Sequence, residues 1–344
     1  MSKKKKSKTK KNRKVKEKAF SIQQFIFFGF LIVLLPLINY KEALDRALLP
    51  QLFAVSVFLL FYIFLVSFKF KKSVAEDNWF KYPLIFSVFG YFIVTVISVF
   101  FAANFKEGLF DIVKSLIFLL ILIFKINKFN QKPERISYLP DFFLLSGIIL
   151  LGIGFYQYFT RVLPSTEKFL PDGRAIVYLV NGMMSHKNLY SSALFMLLPF
   201  LVWGFWKNRS QKRILYGFVI IALLTLILLL STRAVWLGTI IAGVSMFSVL
   251  ILKSRQFNLP RKFRVYSLVV ILLVAGSGTV LVAGKQSTAG FSIGNRFRSI
   301  FDPEASNNRF RLNVWDASLD IWQDNPVIGV GAGNWKLNAP SYFN

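Results

Sequence analysis

What most constrains this chain is the recurrence of apolar runs long enough to cross a bilayer. A hydrocarbon core about 30 Å thick takes roughly 20 mostly apolar residues as a helix. Nine such runs follow one another at approximately 22–39, 48–68, 82–101, 108–124, 141–160, 188–206, 214–231, 234–252 and 266–284. The fourth contains Asp111 and Lys114, whose spacing reads as an ion pair on one helix face. Only Ser231, Thr232 and Arg233 separate the seventh from the eighth, so that junction has to be a tight turn at one membrane face. The pattern predicts an all-α, polytopic transmembrane protein.

Charge gives the orientation. The formal net charge of +27 would point to nucleic acid in a soluble chain, but 55% of the residues are hydrophobic and only 17% charged. Segments rich in Lys and Arg stay on the cytoplasmic side. With the N-terminus inside, segments 1–21, 69–81, 125–135, 207–213 and 253–264 carry 28 of the 43 Lys and Arg. Three parts are expected: a basic cytoplasmic tail over 1–21, a transmembrane helical domain over 22–284, and the start of a large outer loop with short amphipathic helices over 285–344. Loops 40–47, 102–107, 161–187 and 231–233 then lie on the outer face. The basic tail, with Lys3 to Lys6, Lys10, Lys11 and Arg13, reads as a segment that fixes orientation and touches anionic lipid, so membrane lipids are expected partners and nucleic acid is not.

The absence of cysteine excludes disulfides, iron–sulfur clusters, thiolate zinc sites and a cysteine nucleophile. A single histidine, His186, excludes any site built on two imidazoles. No metal and no cofactor is expected.

Polar chemistry collects in three places, all on the expected outer face. Ionisable groups there are functional candidates by default. The first is the 161–187 loop, with Arg174, the Pro171-Asp172-Gly173 turn, and Ser185, His186, Lys187 and Asn188 opening the sixth run. Ser185 or Asn188 is expected to cap a helix whose N-terminal amides favour an anion; a plain cap with snorkelling cations is the alternative. The second is Arg233, either a bidentate phosphate ligand or a cap on the carbonyls ending the seventh helix. The third is the tail, where Arg296, Arg298, Arg309 and Arg311 precede an amphipathic pattern of Leu312, Trp315, Leu319 and Trp322. With Trp335, these tryptophans suggest short helices on the membrane surface. The tail continues through Asp324-Asn325-Pro326 to Gly329, Gly331, Gly333 and Asn334, glycines that would let backbone approach a phosphate.

Arg174 with Gly182 to Asn188, the stretch Ser231-Thr232-Arg233-Ala-Val-Trp236, and Arg311 to Asn334 occur in an order that resembles the bacterial O-antigen ligase and polymerase family of integral-membrane glycosyltransferases. The resemblance implies a multi-helix transferase in the bacterial inner membrane. Such an enzyme moves a glycan from an undecaprenyl diphosphate carrier to a sugar hydroxyl at the periplasmic face, for lipid A-core ligation or chain polymerisation. It further implies metal-independent chemistry, with Arg174 and Arg233 holding the diphosphate, Arg311 or Arg309 supporting them, and His186, Lys187 and Asn188 as further support. The family's catalytic histidine lies beyond the glycine-rich stretch. The expectation is therefore that this chain is part of a longer protein, inactive as it stands, with its base beyond Asn344. A transporter of lipid-linked glycan and a non-catalytic membrane subunit are the competing readings. A transporter would carry charged or broken helices near the bilayer midplane, whereas the charges here crowd the outer face.

Overall fold

A computed structural model describes residues 22–67, 82–131, 133–166, 170, 175–252 and 306–343. Their regular structure is helical, as the apolar runs predict, with ten α-helices among the described residues: α1 (Ile22–Phe28), α2 (Leu48–Ser67), α3 (Pro83–Val99), α4 (Phe105–Gln131), α5 (Leu139–Gln157), α6 (Lys187–Lys207), α7 (Ser210–Leu230), α8 (Arg233–Leu252), α9 (Ser306–Asp324) and α10 (Trp335–Asn338). The basic tail 1–21 and the ninth run, 266–284, lie outside the described residues.

Nine spans were expected; among the described residues, three helical stretches are long and apolar enough to cross a membrane: Ile136–Val162, Lys187–Lys207 and Ser210–Leu230. Shorter apolar helices occupy Gln24–Leu37, Leu48–Phe64, Pro83–Val99 and Arg233–Met246. The fourth run sits inside the 27-residue α4, and Lys114 pairs with Asp111 as its spacing suggested. The first run does not form one helix. After α1 the chain widens into a π-turn over Gly29–Leu34 and tightens into a 3-10 turn over Leu35–Leu37. Pro36 explains the change: it has no N–H to donate, and its ring collides with the carbonyl four residues back. The Leu35 amide instead reaches Phe30 O.

Helices α5, α6 and α7 form the main body, with Leu150, Leu194, Leu201, Leu223, Leu226 and Leu230 buried between them. In lipid, helices associate through close packing and hydrogen bonds, and small residues let them approach. Two glycines do this here against two tyrosines. A Cβ on Gly154 would lie 2.2 Å from the Tyr190 hydroxyl, and one on Gly204 would lie 2.2 Å from the Tyr216 ring. The Tyr190 hydroxyl donates to Leu150 O at 2.6 Å. Tyr216 donates to Asp141 Oδ1 at 2.6 Å, and Lys212 Nζ lies 2.8 Å from the same oxygen. The far side of α7 is equally apolar yet exposed, with Ile214, Phe218 and Ile221 bare. A helix apolar all round with one bare face is what a hydrocarbon solvent calls for. A second cluster joins α1 and α2 to Phe142 of α5 through Phe27, Leu59 and Tyr62, and α3 packs along α4.

Candidate functional site

The α7–α8 junction is the tight turn that its sequence requires. Ser231 takes up a left-handed conformation (φ 54°) and ends α7, and α8 starts two residues later. The Thr232 carbonyl accepts from the Val235 and Trp236 amides at 3.0 Å, closing the first turn of α8. Trp236 folds back so that its indole donates to Ile227 O at 3.1 Å. Arg233, the first residue of α8, is half-buried at this corner.

The start of α6 meets that corner directly. Lys187 is 1% exposed, and its Nζ donates to Leu230 O at 2.7 Å while lying 4.6 Å from the centre of the Tyr178 ring. Thr232 Oγ1 donates to Asn188 Oδ1 at 3.3 Å. The cap on the last carbonyl of α7 is thus Lys187, so the snorkelling reading does not hold for this residue. His186, and neither Ser185 nor Asn188, is the N-cap of α6: its Nδ1 accepts from the Asn188 amide at 3.2 Å. Its ring meets Tyr178 edge-on, with centroids 5.2 Å apart.

Two residues that the sequence reading passed over hold the preceding loop. Gln157, at the end of α5, donates through Nε2 to Gly182 O at 2.9 Å and accepts from the Gly182 amide at 2.8 Å. Gly182 has φ 60°, and a Cβ there would lie 2.5 Å from the Tyr190 ring. Asp45 accepts from the amides of Ala47 (3.0 Å) and Leu48 (2.8 Å), capping α2, and from the Ser185 hydroxyl. The Ser185 hydroxyl is the chief cause holding the Asp45 carboxyl below its ordinary range; burial opposes it, and the two amides add to it. An Asp three residues ahead of an apolar helix is an N-cap signal, so Asp45 could have been found; nothing local marks Gln157.

The tail forms a second assembly. Helix α9 turns back through 325–334, so that Trp335 Nε1 donates to Ser318 Oγ at 3.0 Å and the Tyr342 hydroxyl to Asp324 Oδ2 at 2.6 Å. The buried Asn334 side chain accepts from the Asn104 amide at 2.6 Å and donates to Asn104 O at 3.2 Å and Ala332 O at 2.8 Å. Lys336 pairs with Glu107 at 2.9 Å. Two of the three glycines lie close to other backbone, while Gly329 has open space beside it. A Cβ on Gly331 would lie 2.4 Å from Ala102 Cα, and one on Gly333 would lie 2.8 Å from Glu107 O; both have positive φ, at 87° and 74°. The corner between α3 and α4 is what Gly331 and Gly333 pack against. Beside it opens a groove of about 510 Å³, lined among others by Phe101, Asn325, Ile328, Asn338 and Tyr342.

A family match now bears on both assemblies. Residues 218–344 match the O-antigen ligase family model. The matched segment starts within α7 and contains Arg233, all of α9 and the Asn334 turn. The matched segment is joined through Asn334 to Asn104 and through Lys336 to Glu107 of α4, and through Leu230 and Thr232 to Lys187 and Asn188 of α6. No curated protein and no solved structure matches the chain.

The expected site residues are accordingly distributed. Lys187 and Asn188 meet the Arg233 turn and His186 caps their helix, while Arg309 and Arg311 are exposed on α9, which the Asn334 turn ties to the α3–α4 corner. Trp315 and Trp322 are exposed on α9 with Leu312 and Leu319, as the amphipathic pattern required. Arg174, the Pro171-Asp172-Gly173 turn, Arg296 and Arg298 lie outside the described residues.

Proposed function

We propose that this chain takes part in transfer of a glycan from an undecaprenyl diphosphate carrier to a sugar hydroxyl, in lipid A-core ligation or chain polymerisation, at the periplasmic face of the bacterial inner membrane. The match of residues 218–344 to the O-antigen ligase family carries the reading. The three parts assigned from sequence, a cytoplasmic tail, a membrane domain and an outer loop, belong to the same proposal. Arg233 holds the donor diphosphate, with Arg174 as a second diphosphate contact and Arg309 or Arg311 in support. A guanidinium presents two parallel N–H groups to phosphate oxygens and stays charged at any working pH, so it neutralises a diphosphate leaving group without a metal. His186 is a cap in this scheme, because its Nδ1 is engaged by the Asn188 amide. The tail lies on the outer membrane surface with Trp315 and Trp322 toward the headgroups.

The test is donor binding by the full chain in lipid nanodiscs, with undecaprenyl diphosphate and undecaprenyl monophosphate as probes. The expected result is preferential binding of the diphosphate, weakened tenfold or more in Arg233→Lys, as order-of-magnitude loss of a bidentate contact requires. Equal binding of both lipids by wild type and variant overturns the assignment. Movement of a labelled lipid-linked glycan across vesicles that is insensitive to Arg233→Lys would favour the transporter.

A further inference from the structure

Lys187 is the one buried charged side chain among the described residues, and its burial is costly. An ammonium taken out of water loses several kcal/mol of hydration, and buried charges are often replaced by apolar groups without loss. Its place is also unfavourable locally. As the first residue of α6 it sits at the positive end of that helix dipole.

Its hydrogen bond leads to the end of α7. At the left-handed Ser231, which ends α7, the amide still reaches Leu228 O, and Lys187 Nζ donates to the final carbonyl, that of Leu230, at a helix end where a cation is favoured. The Tyr178 ring covers the ammonium from another side. The next residue, Asn188, takes the Thr232 hydroxyl, and the Thr232 carbonyl starts α8. The beginning of α6 therefore grips the chain at Leu230 and Thr232, immediately before Arg233.

We propose that Lys187 is a positioning residue for Arg233. It fixes the Ser231–Arg233 turn from below, so that the guanidinium leaves α8 in the direction the donor diphosphate requires, and it does not itself touch the donor. This rests on the reading of Arg233 as a diphosphate ligand, and it gives a form to the supporting role that the resemblance implied for Lys187.

The experiment is a double-mutant cycle on undecaprenyl diphosphate binding by the full chain in nanodiscs, with thermal unfolding measured in parallel. Lys187→Met keeps the length of the side chain and removes the charge. It leaves Leu230 O without its donor, so it is expected to unfold somewhat earlier than wild type, and in addition to bind the diphosphate lipid roughly tenfold more weakly when Arg233 is present. In the Arg233→Lys background the same change should cost less than about twofold, since there is no guanidinium left to aim. A filler of space would lower the unfolding temperature and leave no such coupling. Should Lys187→Met not fold, Thr232→Val removes only the hydroxyl on Asn188 and enters the same cycle, with an expected coupled loss of about threefold. Unchanged binding in the variant, or losses that simply multiply, overturns the inference and leaves the reading of Arg233 standing. Failure of wild type to bind the diphosphate lipid overturns that reading first.

Discussion

Two side-chain amides in this protein do the same thing in different surroundings. Gln157 exchanges two hydrogen bonds with the backbone of Gly182, and Asn334 exchanges two with the backbone of Asn104. Each imitates a neighbouring strand, donating to a carbonyl and accepting from an amide of one residue. Each works next to a positive-φ glycine set against another part of the chain, Gly182 under Tyr190 and Gly333 over Glu107. Gln157 lies where α5, α6 and the 181–186 loop converge, whereas Asn334 joins the tail to an exposed corner. The comparison shows how irregular backbone is held beside a membrane: its polar groups are matched by a primary amide, which can give and accept at once.

The largest effect should come from the tail contact. Gly331→Val forces a side chain onto Ala102 at a backbone angle that branched residues avoid, costing roughly 3 kcal/mol. Hydrogen exchange should show protection lost across 325–343 while α5 to α7 keep theirs; unchanged protection in the tail would mean that the turn can be rebuilt elsewhere.

Next come the amides themselves. Gln157→Ala strands one backbone N–H and one C=O and Asn334→Ala one N–H and two C=O, each at about 1–3 kcal/mol. Because water reaches the tail more readily than the bundle, Gln157→Ala should lower the unfolding temperature more. The reverse order would show that the two clasps differ in strain and not in wetness.

The smallest effect is a pH dependence. The Asp45 carboxyl titrates below its ordinary range in the folded chain, chiefly through Ser185. Its contribution is therefore complete above the unfolded value, about pH 4, and is lost as pH falls through the folded value. Exchange at 181–186, corrected for intrinsic rate, should be flat from pH 7 to 5 and rise below pH 4, and Asp45→Asn should abolish that rise.

The helices were legible because hydrophobic run length is a property of consecutive residues, and the Ser231–Arg233 turn was legible because two runs left it no room. Pro36 was visible too, but not the π-turn it imposes on α1. The glycine-rich stretch shows where spacing stops informing: it marks a close backbone approach, and only the fold reveals that Ala102 and Glu107 are what approaches. Lys187 read as a surface cation since nothing near it in sequence foretells Leu230, 43 residues on. Gln157 and Asn104 are single polar residues whose partners lie 25 and 230 positions away.

That last separation has a consequence in time. Chains are synthesised at roughly 5–20 residues per second, so once Asn104 has been made, on the order of 10–50 s pass before Asn334 exists. Throughout that interval the corner of α3 and α4 has to keep its shape unaided, with Gly108 seated against Val99. The docking of the tail is a late event by construction, and any site that it completes has a birthday set by the length of the chain between them.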